Sequence, residues 1–235
     1  HHKTVGGYSP AKMEIYQDLI NMQLSRNTIN SEVLNMLNTK YIIFPGQNNQ
    51  PMVQQNPAAC GNAWFVKDIK WVNNADEEMA ALNAASITDP TKVVPNAFVA
   101  KQTAVIRKSF QSAIGNAPAT IDSTASIRLN KYGLDEISFI YTAAQDGGIA
   151  VFSDIYYPLG WKAFIDGKEV PIVKANYVLR ALRLPKGTNK IISFQFNPET
   201  FAFGNKFALL GSALFYLLLA ACVYFIFKKE TPTTK

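Results

Sequence analysis

The spacing of hydrophobic and polar positions changes character along this chain. Between residues 10 and 24 it is helical: Met13, Tyr16, Ile20 and Leu24 share one face and Ile15, Leu19 and Met22 widen it. Glu14, Gln17, Asp18 and Asn21 face away. Ser9-Pro10 supplies a start signal, a capping hydroxyl followed by a residue suited to the first helical position. A second short helix is predicted over Ser31–Asn38, burying Val33, Leu34 and Leu37. It runs into an apolar strand, Tyr41–Phe44, that Pro45-Gly46 ends. Residues 45–60, rich in Gln, Asn and Pro, read as a polar loop. Short strands near Ala63–Val66 and Ile69–Val72 come next. The helix predicted over Ala75–Ala85 carries Asp76, Glu77 and Glu78 in its first turn, where carboxylates oppose the helix dipole. Pro90 and Pro95 bracket a further extended piece.

From about residue 97 the period shortens to two. Strands are predicted over Phe98–Val105, Ser126–Asn130, Ile137–Thr142, Gly148–Ser153, Lys162–Ile165, Glu169–Val173, Val178–Leu184 and Lys190–Phe196. They are short and evenly spaced, with turn residues between them, which points to an antiparallel β-sandwich of jelly-roll-like character. Asp166-Gly167 is a two-residue hairpin signal, because both residues tolerate positive φ. Pro185-Lys186-Gly187 marks a second turn, and Ile192, Phe194 and Phe196 define one buried face. The fold class is therefore α+β: a small helical and stranded lead-in over 1–96, a sandwich over 97–200, and a C-terminal apolar segment over 206–228 with a tail at 229–235.

The last segment differs in kind. Phe207 to Phe227 is an uncharged run of 21 residues. At 1.5 Å rise per residue it makes a helix of roughly 31 Å, the thickness of a bilayer core. Lys206 precedes it, Lys228 and Lys229 follow it, and Tyr224 suits an interface. The competing reading is a core helix of a soluble protein, but such helices are usually shorter and carry a polar stripe. Lys228, Lys229 and Lys235 outnumber Lys206, so the positive-inside bias places the tail in the cytoplasm and residues 1–205 outside it. The opening HHKTVGGYSP has no starting Met and no apolar signal region, so further sequence is expected upstream to export the domain.

Charge and cysteine content narrow the partners. The net charge of +6 falls to +3 over residues 1–200, where 19 Lys and Arg stand against 16 Asp and Glu, scattered rather than clustered. That pattern excludes a nucleic-acid partner and leaves the lipid bilayer as the first one. Cys60 and Cys222 lie on opposite sides of the expected membrane boundary and form neither a disulfide framework nor a CxxC site. The only histidines, His1 and His2, exclude a His-based triad or zinc site within the domain. No phosphate-binding or dinucleotide glycine motif is present, so no cofactor is implied and no catalytic residue is assigned. Asp76-Glu77-Glu78 reads as a solvated helical turn in preference to a metal site.

Chemistry is most suggestive in SDIYYPLGWKAFIDGK, residues 153–168. Tyr156, Tyr157 and Trp161 with Asp154 form a candidate sugar-stacking platform with one polar anchor. The alternative is that Trp161 and one tyrosine are core aromatics and Pro158–Gly160 a turn. Arg180 and Arg183 fall on opposite faces of a strand and make no joint anion clamp.

Several segments resemble the C-terminal region of YfhO-like bacterial membrane proteins: HHKTVGGYSPAKMEIYQDLI at the start, LNMLNTKYII at 34–43, GNAWFVKDIKWV at 61–72, and the long stretch at 151–196. The resemblance implies a large polytopic protein of the GT-C glycosyltransferase type, moving sugar from a lipid-linked donor to a cell-envelope acceptor. In that fold the catalytic acids usually lie in the first extracytoplasmic loop, which this chain does not contain. The chain would then be the exported domain and last membrane helix, non-catalytic alone. Its partners would be sister transmembrane helices and a glycan or lipid-linked sugar. A non-enzymatic exported binding or structural module is the alternative.

Overall fold

A computed structural model describes residues 4–7, 12–24, 29–46, 50–84, 94, 96–115 and 124–229. The Ser9-Pro10 start signal, Pro90, Pro95, both histidines and tail residues 230–235 lie outside the described residues. The first helix, α1 (Glu14–Leu19), continues through a π-helical turn at Ile20–Leu24. Helix α2 (Ser31–Met36) starts at Asn30, whose Oδ1 accepts the Glu32 and Val33 amides at 3.0 and 3.2 Å. Strands β1 (Tyr41–Pro45) and β2 (Pro51–Gln55) form a two-stranded hairpin. They are followed by β3 (Ala63–Val66), β4 (Asp68–Val72), α3 (Ala75–Ala81) and β5 (Thr103–Arg107). A 3₁₀ turn leads into the one-turn α4 (Gln111–Ile114). The remaining strands are β6 (Ser126–Tyr132), β7 (Glu136–Ala143), β8 (Gly148–Ile155), β9 (Trp161–Ile165), β10 (Lys168–Val170), β11 (Val173–Ala175), β12 (Leu179–Leu184) and β13 (Gly187–Phe196). Helix α5 (Glu199–Lys229) ends the described chain.

Two large sheets make the sandwich. One has the order β10-β9-β13-β7-β6 and the other β3-β8-β12-β11-β5-β4. All pairings are antiparallel except β4 with β5, whose parallel connection carries α3 across the sheet. The six-stranded sheet is the middle layer. One face packs on the five-stranded sheet through Phe139, Phe152 and Phe194, whose rings meet edge to face at 4.9 to 6.2 Å. Its other face buries Trp64, Val151, Leu179 and Ile106 against Leu19, Val33, Met36 and Leu82 from the helical part. A sheet covered on both faces favours near-continuous apolar strands; β8 is built that way over Gly148–Phe152, whereas β12 is buried along most of its length although it carries Arg180 and Arg183.

The structure redraws some sequence boundaries. β3 and β4 lie in the same sheet as β5, β8 and β12, so the lead-in and the sandwich share one hydrogen-bonded layer across residue 96. The expected loop at 45–60 contains β2. All five of its residues are exposed, with Met52 and Val53 adjacent to each other, so the segment carries no alternation that marks a strand. The single strand expected over Glu169–Val173 is two strands. Pro171 lacks a donor for the ladder, and there the chain leaves β9 in one sheet to pair with β12 in the other. The strand expected from Phe98 starts at Thr103, after a turn closed by the Gln102 amide on the Val99 carbonyl. Asp166 (φ 47°) and Gly167 (φ 82°) make the predicted hairpin turn.

Glu78 corrects the solvated-turn reading of 76–78. Its side chain has no exposed surface, and its Oε2 lies 2.7 Å from Arg107 Nε and 3.3 Å from Lys174 Nζ. Its Oε1 accepts the Tyr177 amide at 2.9 Å. That bond fixes a turn in which two successive non-glycine residues, Asn176 and Tyr177, have φ of 49° and 70°. Asn176 is also fully buried and exchanges hydrogen bonds with the Val105 backbone through its Oδ1 and amide. Burial holds the Lys174 ammonium below the usual lysine range, and Glu78 opposes that shift. Glu77 does stay outside, where it accepts from the Asn73 backbone and side chain at 2.8 to 3.1 Å.

Glu78→Ala is expected to destabilise the protein by about 3–5 kcal/mol, because it strands Lys174 and the Tyr177 amide. Chemical unfolding of the full chain in detergent measures this. Asp166 gives a pH signature. Its ion pair with Lys190 and the Ile191 amide hold its carboxyl below the usual aspartate range. The stabilisation is present above the unfolded-state value of about 3.9 and is lost as pH falls through the lower folded value. Both partners are substantially exposed, so the size is below about 1 kcal/mol. Asp166→Asn keeps the turn and should flatten the acid side of the melting-temperature profile.

Candidate functional site

The four platform residues sit where β8 ends and β9 begins, but only Asp154 and Trp161 lie within the strands; Tyr156 and Tyr157 belong to the connection, where the chain leaves the sheet. Asp154 and Trp161 join one cluster at that end of the sandwich. Asp154 Oδ1 accepts the Tyr132 hydroxyl from β6 at 3.0 Å. Arg180, from β12 of the opposite sheet, lays its guanidinium over the Trp161 ring at 4.2 Å and reaches to 5.4 Å from the Phe194 ring. Phe196 tilts against the other side of the cluster, 5.3 Å from Trp161. Tyr156 goes elsewhere. Its ring meets Phe110 edge to face at 6.2 Å, its amide donates to the Val178 carbonyl at 2.7 Å, and burial pushes its hydroxyl pKa up. Tyr157 is exposed in the β8–β9 connection. The structure thus brings Asp154 and Trp161 together and leaves Tyr156 out. Arg180 occupies a ring face that a sugar would otherwise use.

Arg180 defines the electrostatics of the cluster. It is 95% buried, with 5% relative exposure. Its Nε donates to the Ile155 carbonyl at 3.0 Å, and its Nη1 is buried without a hydrogen-bond partner. Burial lowers its pKa, and the Asp154 carboxylate counters that. Arg183 projects from the other face of β12 and donates to the Ile114 carbonyl, so the two arginines are separated by the sheet as their spacing requires. Sequence spacing did not reveal that Arg180 belongs with Trp161. The two come from strands in different sheets and meet only across the sandwich end.

Among the described residues, no group of three or more His, Cys, Asp or Glu side chains is placed to hold a metal ion. Cys60 and Cys222 are both free. A groove of about 390 Å³ is lined by Met22, Gln23, Asn30, Asp76, Met79 and neighbouring residues of α3, away from the aromatic cluster.

The chain's second functional element is α5. Within it, Phe203–Lys228 is long and apolar enough to cross a membrane, and none of the span is covered by the rest of the molecule. Phe207 and Phe227, the ends of the uncharged run, are both exposed. The span therefore presents apolar side chains on every side, and the compatible surrounding is a lipid bilayer.

No protein-family model, curated protein or solved structure matches this chain.

Trp161→Ala should cost about 2–3 kcal/mol, short of a fully buried tryptophan because the ring is only partly covered. Arg180→Met should cost less and shift Trp161 fluorescence. Thermal melts and emission spectra of the full chain in detergent check both.

Proposed function

We propose that this chain is the exported domain and last transmembrane helix of a polytopic membrane protein of the YfhO-like, GT-C glycosyltransferase type. The parent transfers a lipid-linked sugar to a cell-envelope acceptor, and this part is non-catalytic. It positions the acceptor or shapes the site. Residues 1–205 lie outside the cytoplasm and the short tail inside it, by the lysine bias across α5. Gly211, Ser212, Ala213, Ala220 and Ala221 give α5 small surfaces on which sister helices pack closely.

The observation that carries this reading is the level of the aromatic cluster. Trp161, Asp154, Tyr132 and Arg180 gather at the end of the sandwich where the chain passes into the apolar helix. A sugar on a membrane lipid is presented at the headgroup layer, the same level. The indole edge, carboxylate and phenol are groups suited to contacting it. The same cluster supports the second reading, a non-enzymatic carbohydrate-binding module anchored by α5.

The test is an assay of the full-length parent with polyprenyl-phosphate sugars and envelope acceptors. Transfer that falls at least several-fold in Trp161→Ala, with the protein still folded, is the expected outcome. No transfer to any acceptor, together with Trp161-dependent retention of the chain on a glycan array, would instead establish the binding module. Absence of both would leave neither reading standing.

A further inference from the structure

The sandwich and α5 are joined almost without slack. β13 ends at Phe196, and only Asn197 and Pro198 precede the helix. Both of the neighbouring loop tips are fastened to this exit. The Phe196 amide donates to the Asp135 carbonyl at 2.8 Å, tying in the β6–β7 connection, and the Asn197 amide donates to the Gly160 carbonyl at 2.7 Å, tying in the β8–β9 connection. Gly160 adopts φ 93°, and a Cβ there would meet Phe196 and Pro198 at 2.9 Å, so the second loop lies directly against the exit.

These two tips carry the most exposed apolar side chains among the described residues between the β1–β2 hairpin and α5. Leu134 is 94% exposed and Leu159 65%, with Tyr132 and Tyr157 half-exposed behind them. The opposite end of the sandwich is different in kind. There the turns hold the Asp166–Lys190 ion pair and the Lys186 amide bonded to Asp146. Leucine at the tips with tyrosine and tryptophan just behind is the order of side chains that suits a membrane surface.

Distance brings both tips close to the membrane surface. From Glu199, the helix rises about 6 Å to Phe203 and about 12 Å to Phe207, the two limits for where the hydrocarbon begins. The headgroup layer on one side is roughly 5–7 Å thick. We infer that the 133–135 and 156–160 loops rest on the outer surface of the bilayer, with Leu134 and Leu159 inserted among the headgroups, so that the sandwich stands on the membrane at three points. The inference depends on α5 crossing the bilayer, as proposed above.

The experiment uses the full chain in phosphatidylcholine–phosphatidylglycerol vesicles, with a Cys222→Ala background. Cys60 is buried and its thiol is pushed up to about 12, so it resists labelling. Nitroxide labels are placed one at a time through Leu134→Cys, Leu159→Cys, Leu217→Cys in the helix and Thr188→Cys at the far end. Power-saturation measurements then compare collision with oxygen and with a water-soluble nickel chelate. The label at 217 should be oxygen-rich and the label at 188 nickel-rich. Labels at 134 and 159 should show a several-fold drop in nickel collision relative to 188, at headgroup depth. If 217 lies in lipid while 134 and 159 match 188, the loop contact is overturned and the membrane span stands. If 217 is as open to nickel as 188, the span fails and the inference with it.

Discussion

Removing a carboxylate from water costs several kcal/mol unless charge and hydrogen bonds replace the hydration it loses. Glu78 meets that condition with donors from three separate places: Arg107 on β5, Lys174 on β11, and the Tyr177 amide in the turn after β11. Its own helix, α3, spans the connection between the parallel strands β4 and β5. One side chain thus fastens the crossover helix to the two strands beneath it. It also fixes the backbone of a turn that its residues would not adopt alone, since a tyrosine at φ 70° is costly without such support. The edge half of the six-stranded sheet takes its shape from this cluster, and the helical face packs on that sheet.

How much of this was legible in the sequence depends on where each residue's partners lie. Strands β6 to β9 and β12 to β13 were readable because each has one face in the sandwich and turn residues at its ends. Asp166-Gly167 was readable because its conformational demand is local. β2 was hidden by its exposure on both faces, since nothing apolar alternates along it. Glu78 was misread for a similar reason. A carboxylate in a first helical turn satisfies a local rule, and its burial is imposed by two cations about thirty and a hundred residues away in sequence. Local rules see neither.

The residues named for a candidate site do not all stay together. The segment at 153–168 divides between two surroundings: Asp154 lies within β8 and turns toward the five-stranded sheet, whereas Tyr156 comes after the strand has ended and meets Phe110. Arg180 is the neighbour of Trp161 that no local pattern announces. Its strand spacing correctly separated it from Arg183 but could not name Trp161 as its neighbour, because that contact is made between sheets. The apolar span needed no partner to be recognised. Its length and lack of charge are properties of the segment itself.

The crossing at Pro171 has a mechanical consequence. Within a few residues the chain is hydrogen-bonded first to the five-stranded sheet and then to the six-stranded one. That short piece acts as a shear pin between the layers. Sliding one sheet over the other would have to stretch a connection with almost no length to give, with the phenylalanine triad resisting from within. The two layers therefore have few independent degrees of freedom, and a load applied at one face is carried through the whole body as through a single block.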